Sequence, residues 1–213
     1  KFLTAESSVH PRPWPHRTAM SSAFASTSVG DFVTELCAKT PTPGGGAAAA
    51  VTAAVGEAAA AMSCAYTQRK KDVESGAAAK ASELQALLSP AKVLTFADAD
   101  AAAYAELQAS WKATDMPAEQ KAAIEARALA VPVELIAHCR TQIDAILAFL
   151  PHCNPGITSD AKVGIHLLAG AARAAYQTAA VNNPPDEVKA AMWVHVLHIL
   201  DAEHKIMGAD SMS

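Results

Sequence analysis

Aromatic side chains make up only 5% of this 213-residue chain. A core so short of rings cannot be filled by a few large residues and must be built from many small ones in close contact. Basic residues are also in deficit: 17 lysines and arginines stand against 21 acids, a formal net charge of −4. That balance carries no electrostatic footprint for a nucleic-acid partner. Uninterrupted apolar runs of the roughly 18 residues needed to cross a bilayer are missing, since Glu57, Gln68 and Lys80 break the apolar stretches. The chain is therefore not expected to span a membrane. Its four cysteines, Cys37, Cys64, Cys139 and Cys153, are widely spaced without a C-x-x-C pair. They read as free, mostly buried thiols, and the repeated His138-Cys139 and His152-Cys153 pairs do not chelate well as helical neighbours. Strand-length alternation of apolar and polar residues is absent, as is any solenoid-length repeat.

What is abundant is alanine, about a quarter of the chain. Alanine is the best helix former and lets helices approach closely. The pattern predicts an all-α, up-and-down helical bundle. A first helix spans about 28–39, opened by Ser28 with Asp31 as a capping box. A second runs from a glycine turn to about Gln68, where Arg69-Lys70-Lys71-Asp72 makes a charged corner. A long helical stretch over about 73–112 is kinked or broken at Pro90. A fourth helix, about 117–149, starts with Pro117 in its first turn and is interrupted near Pro132. A fifth is capped by Ser159 and reaches Ala180. The last starts at Asp186 and Glu187 and ends at Gly208.

Residues 1–27 form a separate, extended arm, and residues 28–213 the helical domain. Pro11-Arg12-Pro13-Trp14-Pro15-His16-Arg17 reads as polyproline, and a protein partner is expected to grip the arm around Trp14. A first residue other than Met fits removal of a targeting peptide, hence a mitochondrial or other organellar location. It fits equally a cloning remnant before Met20, with a cytoplasmic protein.

Three elements carry possible chemistry. Thr40-Pro41-Thr42-Pro43-Gly44-Gly45-Gly46 leads directly into Ala47–Ala61. Glycines that bare the backbone at a helix start suit either an anion or a tight packing turn. Asp98 and Asp100 lie in Phe96-Ala97-Asp98-Ala99-Asp100-Ala101-Ala102-Ala103-Tyr104, about 200° apart around a helix axis. They cannot both face the core, so one is expected buried and one solvated; a buried carboxylate suits proton transfer. Asn154 to Asp160 forms a second loop-to-helix junction, with an amide at Asn154 and capping groups at Ser159 and Asp160. His195, His198, Asp201 and His204 are three apart, which spreads them around a helix and makes them a polar, partly exposed face rather than a metal site.

In this order, the Thr-Pro-x-Pro-Gly-Gly-Gly turn, the Asp-x-Asp-Ala-x-Ala-aromatic segment and Asn-x(4)-Ser-Asp resemble the cyclodeaminase/cyclohydrolase family of folate enzymes. That family includes formiminotetrahydrofolate cyclodeaminase and methenyltetrahydrofolate cyclohydrolase. The resemblance covers about Ser28 to Ile206. Tyr66-Thr67-Gln68-Arg69-Lys70 is similar to the family's Thr-Gly followed by two basic residues, with Gln68 in the glycine's place. The resemblance implies a homodimer of the cyclodeaminase type acting on a polyglutamylated folate, with no metal or cofactor beyond that tetrahydrofolate substrate. It implies Asp100 as the acid/base, and Gly44, Gly45, Gly46, Arg69, Lys70, Asn154, Ser159, Asp160 and Gln177 as substrate-binding. One departure stands out. The family's Asn-x-x-x-Asn pair aligns with Gln177 and Val181, and Val181 cannot hydrogen-bond; Asn182, next to it, points about 100° away. The expected function is that of a folate one-carbon enzyme, deaminase or cyclohydrolase. The alternative is a catalytically impaired or inactive relative serving as a structural subunit of a larger protein complex, a mitochondrial one if the targeting-peptide reading holds.

Overall fold

Twelve of the 22 residues of one alanine-rich helix, Gly45–Tyr66, are buried, and this helix is the axis of the molecule. The computed structural model describes residues 23–210. Along them run α1 (Val29–Leu36), α2 (Gly45–Tyr66), α3 (Lys70–Glu74), α4 (Ala77–Leu87), α5 (Pro90–Lys112), α6 (Ala118–Phe149), α7 (Thr158–Ala180) and α8 (Asp186–Asp210). Short 3₁₀ turns occupy Phe24–Ser26, Leu150–His152 and Pro155–Ile157, and the described residues contain no strand. The bundle expected from the sequence is the one observed.

α2 lies between α5 and α7; α6 packs on α5 and α7, and α8 covers α6 and α7. Small side chains let α2 and α7 meet almost backbone to backbone. A Cβ added at Gly164 would stand 2.8 Å from the Gly56 carbonyl oxygen, and one at Gly56 would stand 3.0 Å from the Gly164 oxygen. The larger apolar residues form the layer beyond, with Leu135, Ile136, Ile143 and Ile146 of α6 buried alongside Ile165 and Leu168 of α7 and Met192 and Ile199 of α8. By length and apolarity α2 also qualifies as a bilayer span, with a mean hydropathy of 1.4 over its best window, but 61% of that window is buried inside the bundle.

Polar ties lock the layers. Glu57, fully buried in mid-α2, accepts the Ser89 N–H at 2.6 Å and meets His138 Nε2 of α6 at 2.6 Å. One carboxylate thus fixes the α4–α5 junction to two helices. On α8, His198 reaches Asp144 of α6 at 2.6 Å and His195 lies 3.2 Å from Arg140. Glu203 pairs with Arg173 and, at 3.0 Å, with His166 of α7. Asp201 takes Lys205 at 2.6 Å. The evenly spaced histidines of α8 therefore include two that dock the helix.

Several boundaries differ from the sequence reading. Pro132 lies inside an unbroken α6. The 73–112 stretch is divided twice, at Gly76, whose φ of +81° is left-handed, and at Pro90, the first residue of α5. α7 begins at Thr158, so Ser159 is not its cap; its hydroxyl bonds Asp160 Oδ2 at 3.2 Å. α8 continues past Gly208 to Asp210. Ser28 does cap α1, accepting the Asp31 N–H at 3.0 Å. At the junction with the arm, Phe24–Ser26 is a 3₁₀ turn, not extended chain. Phe24 stacks edge-on against Phe32 at 5.8 Å, and its N–H donates to Asp98 Oδ1 at 3.4 Å. Trp14 and the proline-rich segment lie outside the described residues.

Candidate active site

A cleft of about 270 Å³ opens where the N-terminus of α2 meets α5 and the end of α7. Its walls include Gly44, Gly45, Gly46, Asp100, Tyr104, Thr178, Val181 and Asn182. Gly44 is the N-cap of α2 and has no side chain with which to cap it. The group that does this is Asp100, whose carboxylate accepts the Ala47 N–H. A Cβ on Gly46 would overlap Oδ1, Cγ and Oδ2 of Asp100. The glycine turn therefore admits the protein's own carboxylate to the positive end of a helix. Burial pushes the Asp100 carboxyl above the ordinary aspartate range, and the Ala47 hydrogen bond only partly offsets this. Asp98 is partly buried as well, so the expected division into one buried and one solvated acid does not hold.

The other residues implied by the resemblance lie elsewhere. Arg69 and Lys70 follow the far end of α2, about 33 Å along a 22-residue helix from Gly45. Arg69 is held by Asp72 through two bonds of 2.7 Å, which lowers the Asp72 pKa, while the Lys70 side chain is 92% exposed. Asn154 is at that end too: its Nδ2 donates to the Tyr66 carbonyl at 3.0 Å and its Oδ1 accepts the Gly156 N–H at 3.0 Å. Ser159 is exposed and Asp160 partly so. Gln177 is exposed and does not line the cleft.

Burial raises the thiols of Cys64 and Cys139 to about 12, which leaves them protonated and poor nucleophiles. Among the described residues no three His, Cys, Asp or Glu side chains are grouped to hold a metal. Asp100 is the one carboxyl on the wall of this cleft, with Tyr104 its other titratable residue.

The sequence from residue 28 to 191 matches the family model described as formiminotransferase-cyclodeaminase. The chain belongs to that family. Among solved structures it is similar to formiminotetrahydrofolate cyclodeaminase from Thermotoga maritima, with a TM-score of 0.69 and 18% identity, over 86% of this chain and 95% of that one. No curated protein matches the sequence.

As a member of the formiminotransferase-cyclodeaminase family, the chain shows where the register of α7 matters. Val181 lines the cleft and is 77% exposed. Thr178 and Asn182, four apart and one position on from the pair read in the sequence, line it as well. Asn182 Nδ2 donates to the Thr178 carbonyl at 3.1 Å. The α7 helix proper ends at Ala180, so a rotation of about 100° per residue no longer places Asn182. Tyr104, one turn after Asp100 on the same face of α5, and Ala128 are further wall residues. Pro132, four residues on from Ala128 in α6, has no N–H to offer the Ala128 carbonyl. The signals for these were present as an aromatic one turn from Asp100 and a proline in mid-helix.

Proposed function

We propose that this chain is a folate one-carbon enzyme, a cyclodeaminase or cyclohydrolase, with Asp100 as its proton carrier. One observation carries the reading: a carboxyl with a raised pKa, held on a helix N-terminus, forms the wall of an otherwise largely uncharged cleft. In the deaminase direction, N10 of 5-formiminotetrahydrofolate attacks the formimino carbon. The formimino group is an amidine and carries a second proton on its nitrogen at neutral pH. Asp100 takes the N10 proton and delivers it to that nitrogen, which then holds three hydrogens and leaves as ammonia as its C–N bond breaks, giving the 5,10-methenyltetrahydrofolate cation. In the cyclohydrolase direction, water adds to the same bridging carbon while Asp100 takes its proton. The C–N5 bond of the adduct then breaks as N5 receives a proton and the hydroxyl gives up its own, leaving 10-formyltetrahydrofolate and one proton released to solvent. A carboxyl poised above its ordinary range can both accept and return the proton.

The reading includes a homodimer. Val55, Met62 and Tyr66 are 53%, 41% and 60% exposed on α2, and their spacing of seven and four sets them along one face. A second copy would cover that strip.

A second reading, a non-catalytic subunit of a larger organellar assembly, is favoured by α8. Trp193, Leu197, Leu200 and Met207 form one exposed apolar stripe along it, a surface suited to another protein.

The protein offered 5-formiminotetrahydrofolate and 5,10-methenyltetrahydrofolate separately decides among these. Methenyl absorbance appearing with ammonia establishes the deaminase, and accelerated loss of methenyl establishes the cyclohydrolase. A folded protein inert toward both supports the subunit reading.

A further inference from the structure

The cleft does not end at Asn182. A smaller hollow of about 160 Å³ is lined by Leu107, Trp111, Glu125, Val181, Asn182 and Asn183. Leu107, Val181 and Asn182 line both spaces, so they are two lobes of one groove. Trp111 is 62% exposed, yet its ring is oriented by an edge-on contact with Tyr104 of the first lobe, at 6.2 Å and 87°. Glu125 has no ion-pair partner among the described residues, whereas nearby Arg127 is taken by Glu106 at 2.8 Å. Asn182 is steadied through Nδ2, which leaves its Oδ1 available. No lysine or arginine lines either lobe.

We infer that the second lobe is a subsite for a flat heterocycle with adjacent N–H groups on one edge, the 2-amino-4-oxopyrimidine edge of a pterin. This rests on the folate reading above and names the half of the substrate that the groove holds. Trp111 stacks on the face of the ring. Glu125 accepts two parallel N–H bonds from its edge, the fork geometry that a carboxylate matches well. Asn182 and Asn183 supply amide donors and acceptors for the ring carbonyl and nitrogens. Asp100, in the neighbouring lobe, then faces the one-carbon bridge next to the ring. The anionic glutamate tail finds no cation in the groove and extends away from it.

The test is equilibrium binding of pterin and of p-aminobenzoylglutamate, the two halves of a folate, to the full chain by titration calorimetry. Pterin is expected to bind, and the tail half at least tenfold more weakly. Trp111→Ala and Glu125→Gln should each weaken pterin binding tenfold or more, and Trp111→Phe should restore it to within about threefold. Circular dichroism should be unchanged, since both side chains are exposed. Failure of pterin to bind, or equal binding by both variants, overturns the subsite. Turnover of a folate derivative with an unchanged KM in both variants overturns the subsite and leaves the folate reading intact. Variant-sensitive pterin binding without turnover of any folate derivative supports the subsite and removes the catalytic reading.

Discussion

Asp100 and Gly46 occupy one small space, and each explains the other. The carboxylate reaches the Ala47 N–H only because Gly46 has no Cβ. Gly46→Ala is expected to expel Asp100 from its seat and cut turnover by a factor comparable to Asp100→Asn. The double variant should then be no worse than either single one, as for residues acting as a unit. Asp100→Asn should also reveal the cost of burying the charge. The folded pKa is raised, so the stability from the neutral carboxyl is complete below the unfolded pKa and is lost as pH rises through the folded one. The variant should lack that slope and be as stable as the parent, or more so, at neutral pH; thermal melts across the acid range check this. Asp100 was legible as an acid set among alanines, and Gly46 as part of a glycine run. Their meeting was not, because 54 positions separate them and only the α2–α5 packing joins them. The bare helix start thus accommodates an internal carboxylate rather than standing open. A helix continuing past Ala180 would turn Asn182 about 100° from Val181; α7 ends at Ala180, and both Val181 and Asn182 line the cleft.

At the scale of elements, the α2–α7 crossing carries the bundle. Gly164→Ala places a methyl against the Gly56 oxygen and the Ala60 Cβ, at 2.8 and 3.0 Å. Neither can move without separating two helices. Overpacking of this kind costs about 1–3 kcal/mol, and in a chain of this size each kcal/mol lowers Tm by about 2–4 °C. The same substitution at Gly170, also inside α7 but where an added Cβ meets only the end of Arg173 at 4.0 Å, should raise Tm slightly, since a mid-helix glycine costs about 0.5–1 kcal/mol relative to alanine. Helix existence was readable from alanine content and from punctuation such as Ser28 and Pro90. Helix ends were less so. Pro132 was read as a break, yet α6 continues through it, buried against its neighbours, because tertiary packing outweighs one missing hydrogen bond. Gly208 and Ser159 were read as a stop and a cap on local preference alone, and the observed helices pass both. Glu57 looked only like an interruption of an apolar run. Its role as a buried tie depends on His138 and Ser89, which no local pattern connects to it.

For the whole molecule, the proposed homodimer would bury the exposed strip of α2, Val55, Met62 and Tyr66, and not the apolar stripe of α8. Met62→Glu together with Tyr66→Lys should convert a dimer to monomers in sedimentation equilibrium while the helix content is retained, whereas Leu197→Glu on α8 should not. A dimer that survives the α2 changes would move the interface elsewhere. The overall architecture was legible because shortage of aromatics and abundance of alanine admit few solutions other than closely packed helices. The proposed chemistry depends most on one group, Asp100. The most direct measurement follows methenyl absorbance and ammonia release from 5-formiminotetrahydrofolate with the parent chain and with Asp100→Asn side by side. General acid–base catalysis by this carboxyl predicts a parent rate about 10²–10⁴ times that of the variant, with equal helix content. Equal rates from the two proteins would contradict it.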